Sequence, residues 1–272
     1  MANEIEKKDL AVLLKESWEF FTKRWAILFQ VTLFVWIPIL MIAPLAGFLW
    51  TSYNNLLKNN PELLFSFKVI LSGGVLVFTI VGILVAVLLI DRLIKVTIMD
   101  SLWEKPEEKY CLNIFKLLKE VWPKMGGLYK TQILAWFIIF LWSLLFFVPG
   151  VFFFILFSFV PYEVILKGKM GNDALVSSKK IVRCNLGKFV GNMLVMVGIL
   201  VFINIGLSGF FKLIFSSFHS MTLLNLGELA ATIISNILGL WGTIFHFSLY
   251  KELERRSVIP SGVGATLCGR PM

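Results

Sequence analysis

The sequence predicts an all-α fold: a polytopic membrane helix bundle of six transmembrane helices paired as three hairpins, with amphipathic interfacial helices on the cytoplasmic side. Three observations carry that expectation. Hydrophobic residues make up 58% of the 272-residue chain and charged residues 16%, with a mean hydropathy of +0.83. A soluble domain carries about 25% charged residues, so there is too little polar surface here to coat a globule in water. The apolar residues form continuous runs near the ~20 residues that a helix rising ~1.5 Å per residue needs to cross a hydrocarbon core ~30 Å thick. Finally, the basic residues fall almost wholly between alternate runs. Runs that are apolar throughout, rather than alternating, exclude a β-barrel.

A single integral membrane domain is expected over residues 1–258, followed by a flexible cytoplasmic tail at 259–272. Before the first run, Leu10, Leu13, Leu14, Trp18, Phe21 and Trp25 recur at helical spacing, with Lys15, Glu16, Glu19 and Lys23 between them. That pattern predicts an amphipathic helix over 6–24, suited to the headgroup boundary. Span one follows at 26–50, where Pro38 and Pro44 predict a bend, and span two at 69–90 holds no charged residue. A second interfacial helix is expected at 111–122. The apolar stretch beyond it is interrupted by Val148-Pro149-Gly150, a strong turn signal, which predicts an antiparallel pair at 131–148 and 151–167. A third interfacial helix is expected at 172–186, and the last two spans at 189–210 and 229–250.

Basic residues orient the bundle. Twenty-three of the 26 Lys and Arg residues lie in the N-terminal segment, the loops after spans two and four, and the C-terminal tail. Only Lys58, Lys68 and Lys212 lie in the alternate loops. By the positive-inside rule the richer side, with both termini, is cytoplasmic. No cleavable signal peptide is expected, because the first apolar run is too long for an h-region and lacks a small-residue cleavage site.

An internal repeat accompanies this layout. Leu13-Leu14-Lys15-Glu16-Ser17-Trp18 returns as Leu117-Leu118-Lys119-Glu120-Val121-Trp122, and Trp25 corresponds to Tyr129. The region 172–188 is a third candidate without the Trp. The unit read from these segments is an interfacial helix, a span, an outer turn and a returning span.

Several function classes fall away on composition. The net charge of +9 is distributed beside apolar runs, where topology and anionic headgroups account for it, and no basic patch separable from a span suggests nucleic acid. Cys111, Cys184 and Cys268 are scattered and odd in number, and read as free thiols. With two histidines, His219 and His246, neither a metal site nor any other cofactor is expected. His219 lies among Ser216, Ser217 and Ser220, but no third group is present to orient a Ser–His pair.

The run Val148-Pro149-Gly150, an apolar helix, Pro161-Tyr162-Glu163, then Asp173-Ala174-Leu175-Val176-Ser177-Ser178 before a basic stretch and a new span resembles a bacterial family. It is similar to the six-span membrane domain of glycerophosphoryl diester phosphodiesterases and to related uncharacterised integral membrane proteins. In that family an Ile/Val-Pro-Gly, Glu, Ala-Leu-x-x-Ser string joins spans three to five. The resemblance implies the architecture and a place in the bacterial cytoplasmic membrane. It does not imply the phosphodiesterase activity, which belongs to a separate soluble barrel for which this chain has neither the length nor the residues.

No catalytic constellation is evident, so a non-enzymatic protein is expected, with membrane lipids (anionic headgroups at the cytoplasmic face) and a membrane-protein partner as its associates. The candidate functional polar residues are Glu163, Asn192, Asn204, Asn236 and His246. Glu163 is the acidic residue set deepest in an apolar run. Intramembrane carboxylates can handle protons or substrates, but Lys167 follows four residues later in the favourable order, which favours an ion pair, with Lys179 and Arg183 as further partners. Asp91 and Arg92 read as an interfacial anchor at the end of span two, and Gly82/Ala86 and Ser235/Gly239 as close-approach spacings. Counting ~1.5 Å per residue from the inner ends of spans five and six, Asn204 and Asn236 share one depth, and Asn192 and His246 another. Each pair is therefore expected to face across the hairpin, with Gly239 and Gly242 allowing close approach. If Glu163, Asn192, Asn204 and Asn236 instead line a polar path, the protein is a small transporter or lipid flippase.

Overall fold

A computed structural model describes residues 9–59, 67–104, 114–216 and 221–258. Every described element is helical: α1 (Leu10–Asn59), α2 (Phe67–Glu104), α3 (Ile114–Leu145), α4 (Phe147–Leu156), α5 (Val160–Lys167), α6 (Asn172–Cys184), α7 (Leu186–Ser216) and α8 (Met221–Val258). Four stretches among the described residues are long and apolar enough to cross a membrane: Trp122–Leu145, Val148–Lys167, Leu186–Ile214 and Ala230–Ser257. The tail at 259–272, His219, Cys111 and Cys268 lie outside the described residues.

The segments expected as an interfacial helix and a span are joined in α1 and α3 into single helices. In α3 this continuity runs through Pro123, which sits inside the helix. Part of the apolar face of the N-terminal segment is covered by protein: Leu13, Ser17 and Phe21 are buried, Trp18 stands edge-on to Trp241 of α8, and Trp241 Nε1 donates to Ser17 Oγ at 3.1 Å. Only the third segment is a separate helix, α6.

The hairpin turn comes earlier than the Pro-Gly pair. Phe146 is the extended residue between α3 and α4, and Pro149 and Gly150 lie in the first turn of α4. Proline is tolerated there, because the N–H it lacks would have no intrahelical partner. Gly150 serves packing instead. A Cβ at that position would lie 2.0 Å from Ser143 Oγ and 2.9 Å from Ser143 Cα, so the missing side chain is what lets α4 fold back onto α3.

A second break was not foreseen. The expected helix at 151–167 is interrupted at residues 157–159, where bonds tighten to the three-residue spacing (Val160 N–H to Phe157 O, 3.1 Å). Pro161, near the start of α5, cannot donate to the turn before it, and the helix breaks there. Irregular backbone at membrane depth must be satisfied by protein. Ser178 Oγ donates to Leu156 O at 2.7 Å and accepts from Phe159 N–H at 3.3 Å, while Arg92 Nη2 donates to Ser158 O at 3.4 Å.

Successive helices pack as α1 on α2, α3 on α4 and α7 on α8, with α1 also against α8. Among the described residues the buried core lies toward one end, the end bordered by the basic segments. Leu13 and Leu28 of α1, Leu93, Ile98, Met99 and Leu102 of α2, Phe159 and Tyr162, and Phe245, Phe247 and Tyr250 of α8 are fully buried there. Toward the other end large apolar side chains face outward, including Phe140, Leu144, Phe146 and Val148 around the α3–α4 turn, and Phe202 (81% exposed) and Leu213 (74%) on α7. Apolar exposure on this scale has no place in water and suits lipid.

Three local expectations are corrected. Cys184 is disulfide-bonded rather than a free thiol; separation in sequence sets no lower limit on separation in space. A Cβ on Gly82 or Gly239 would meet nothing within 4 Å, so neither is a close-approach point. Gly242 is one: its Cβ would lie 2.8 Å from Leu200 Cδ1 of α7.

Candidate functional site

Among the described residues, Glu163 on α5 gathers four side-chain donors. Its carboxylate is wholly buried, at 0% exposure. Oε1 accepts from Tyr250 Oη of α8 at 2.8 Å and from Lys167 Nζ at 2.9 Å. Oε2 accepts from Ser177 Oγ of α6 at 2.5 Å and from Lys169 Nζ at 3.0 Å. Lys169 also donates to Ser177 Oγ at 2.6 Å, and Lys167 pairs with Glu254 of α8 at 2.7 Å. The expected Glu163–Lys167 pair is therefore present and is one quarter of the arrangement. Lys179 and Arg183 are exposed on α6 and are not among its partners.

Local chain geometry explains how these groups converge. One helical turn brings Lys167 over Glu163. Gly168 then ends α5 in the left-handed region (φ 67°), with its N–H bonded to Val164 O and that of Lys169 to Glu163 O. Glycine reaches that conformation without steric cost, and the reversal returns Lys169 to the carboxylate it has just passed. Gly171 N–H then donates to Thr131 Oγ1 at 2.8 Å, fixing the start of α6 against α3. On α6, Ser177 faces Glu163 while its neighbour Ser178 satisfies the α4–α5 break.

Beside the carboxylate lies an aromatic layer. Tyr162 and Tyr250 stack with ring centroids 4.9 Å apart, and Phe159 packs edge-on to both Phe189 and Tyr250. Tyr162 Oη and His246 Nδ1 are hydrogen-bonded at 2.8 Å, and the Arg92 guanidinium lies 5.9 Å from the Tyr162 ring centroid. Arg92 thus ties α2 to the α4–α5 break, while Asp91 pairs with Lys95 of its own helix at 2.6 Å.

Chemically, the arrangement around Glu163 is closed. An ionised carboxylate offers about four acceptor sites, and all four are taken. Two lysines and two glutamates balance in charge. At 0% exposure and with every acceptor site occupied, Glu163 has no free lone pair. The geometry suits a clamp joining α5, α6 and α8.

The remaining candidates sit elsewhere. His246 bonds Tyr162 rather than Asn192, because the partner came from a third helix that depth on a two-helix hairpin leaves out. Asn192 is buried on α7, and its Nδ2 has no hydrogen-bond partner among the described residues. Asn204 donates from Nδ2 to Ser235 Oγ at 2.9 Å, one residue short of the expected Asn236. Asn204 and Asn236 nonetheless line one cavity of about 320 Å³ with Ser208, Phe211, Lys212, Ala231, Thr232 and Ser235. Among the described residues no group of three His, Cys, Asp or Glu side chains could hold a metal ion.

No family model, curated protein or solved structure matches the chain.

Proposed function

We propose that this chain is a six-span, non-enzymatic protein of the bacterial cytoplasmic membrane, with both termini cytoplasmic, acting in lipid or envelope homeostasis or as a subunit of a membrane partner. The observation that carries the reading is the enclosure of Glu163. A carboxylate kept for transport must be reached by proton or substrate, whereas this one is saturated and sealed. Spans one and two are assigned to the uncharged runs at 26–50 and 69–90 within α1 and α2, which with the four apolar stretches above make six. The 23-to-3 distribution of basic residues supports the orientation and the association with anionic headgroups at the cytoplasmic face.

The resemblance to the membrane domain of glycerophosphoryl diester phosphodiesterases supports the same reading, since its motif residues have structural work here. Gly150 admits Ser143, Glu163 gathers four donors, and Ser178 of Ala174-Leu175-x-x-Ser178 satisfies the broken helix. Native mass spectrometry of the protein released from nanodiscs tests the reading: retained phospholipid or a co-purifying membrane subunit is expected. Flux of a solute through proteoliposomes, abolished by Glu163→Gln in a folded protein, would favour a small transporter or flippase instead. The cavity between α7 and α8 is the observation on that side.

A further inference from the structure

Three cations on α6 differ from their counterparts elsewhere at the same end of the bundle. Lys95, Lys167, Lys169 and Lys251 each hold a carboxylate of the protein. Lys179, Lys180 and Arg183 are exposed, and among the described residues their side chains make no ion pair or hydrogen bond. Spacings of three and four residues set both lysines beside Arg183 on the helix surface. Val176 lies one turn earlier on the same face and is 57% exposed. The opposite face is committed to the bundle, with Ala174, Leu175, Ser178, Ile181 and Val182 buried. Asp173, in the first turn, is the one acidic residue of α6.

The chain on either side fixes where this face can be. The apolar stretch before α6 ends at Lys167, and the next begins at Leu186. Residues 168–171 and Asn185 are therefore all that separate α6 from two candidate spans. Gly171 is also tied to Thr131 of α3, where the apolar part of that helix begins. With both ends pinned, a helix about 18 Å long is held along the membrane boundary. An uncovered valine among cations suits that level. Phosphates there meet the charged heads, while the aliphatic stems and the valine meet the edge of the acyl layer.

We propose that the outward face of α6 binds the phosphates of anionic phospholipids at the membrane surface through Lys179, Lys180 and Arg183. The inference rests on the association with anionic headgroups proposed above, and names its contact surface.

The test is native mass spectrometry of the full chain in detergent, titrated separately with phosphatidylglycerol, phosphatidylcholine and inorganic phosphate. Phosphatidylglycerol should bind in preference to the other two. A cation at an anionic surface contributes about a fivefold factor in affinity, so Lys179→Gln combined with Lys180→Gln should weaken that binding about thirtyfold. Replacing the same two lysines by Arg should retain it. Lys15→Gln combined with Lys23→Gln removes equal charge from exposed positions on α1 and should leave it nearly unchanged. No preference for phosphatidylglycerol in the unaltered chain overturns the headgroup association itself. A preference that survives the α6 substitutions, or is lost equally with the α1 pair, overturns α6 alone. Equal binding of inorganic phosphate overturns the lipid as occupant. In nanodiscs, a nitroxide on Val176→Cys, with the native cysteines replaced by Ser, should be reached by oxygen more readily than by a water-soluble nickel chelate. The reverse order would turn the face to the aqueous side, as an acidic protein partner requires, and overturn the inference.

Discussion

Replacing Glu163 by Gln tests the clamp with little change of shape. Glutamine can keep Oε1 facing Tyr250 Oη and Lys167 Nζ, but its Nε2 then occupies the place of the oxygen that accepts from Ser177 and Lys169. The Ser177 hydroxyl can turn to accept. Lys169 cannot, and being 40% exposed it turns to water; Lys167 keeps Glu254. The surviving bonds fall from the charged range of about 1.5–3 kcal/mol to the neutral range of about 0.5–1.5. With the exposed lysines discounted for solvent, the loss is about 2–3 kcal/mol. Tyr250→Phe should cost about 2 kcal/mol, since it removes one donor to a charged group. Because the two residues touch, the double variant should fall short of the sum by about 1 kcal/mol. Unfolding in mixed dodecylsulfate micelles, followed by tryptophan fluorescence, measures all three. An unchanged midpoint for Glu163→Gln, or strict additivity, would refute the clamp.

Gly150→Ala should destabilise the α3–α4 turn by about 1–3 kcal/mol through overpacking, since its Cβ meets the Ser143 backbone, whereas Gly239→Ala, facing open space, should be neutral or stabilising by up to about 1 kcal/mol; thermal unfolding of the pair separates the two outcomes. With the three native cysteines replaced by Ser, Asn204→Cys should cross-link with Ser235→Cys faster than with Asn236→Cys, and the reverse order would mean that α8 is rotated. Reporter fusions should be cytoplasmic after Asn172 and external after Asn59.

How much of this could be read from the chain depended on the range of each contact. Glu163 with Lys167 was legible because an i, i+4 pair is local. Lys169 had a signal, the intervening Gly168, whose left-handed turn folds the chain back. Tyr250 and Glu254 had none, since a hydroxyl 87 residues away leaves no periodicity to detect. Depth arithmetic on α7 and α8 gave the right height for Asn204 and missed by one residue, because each residue turns a helix by about 100° and height carries no information on direction. Within the amphipathic pattern expected at 6–24, Leu13, Ser17 and Phe21 are buried while Trp18 and Trp25 stay partly exposed, and periodicity cannot distinguish lipid from Trp241 as the cover. Pro149-Gly150 announced the reversal near residue 148, and the turn moved to Phe146 because a helix accepts proline in its first turn.

The clamp also carries an order in time. Glu163, Lys167, Lys169 and Ser177 leave the ribosome together, whereas Tyr250 follows Glu163 by 87 residues. At about 5–20 residues per second the interval is roughly 4–17 s. Throughout it, the carboxylate has its lysines and Ser177 but not the α8 hydroxyl, and Lys167 awaits Glu254. The two partners that close the arrangement belong to α8, so a nascent bundle that has inserted everything before it remains unlatched. A chain stopped before Tyr250 would lack both contacts that α8 makes to the clamp.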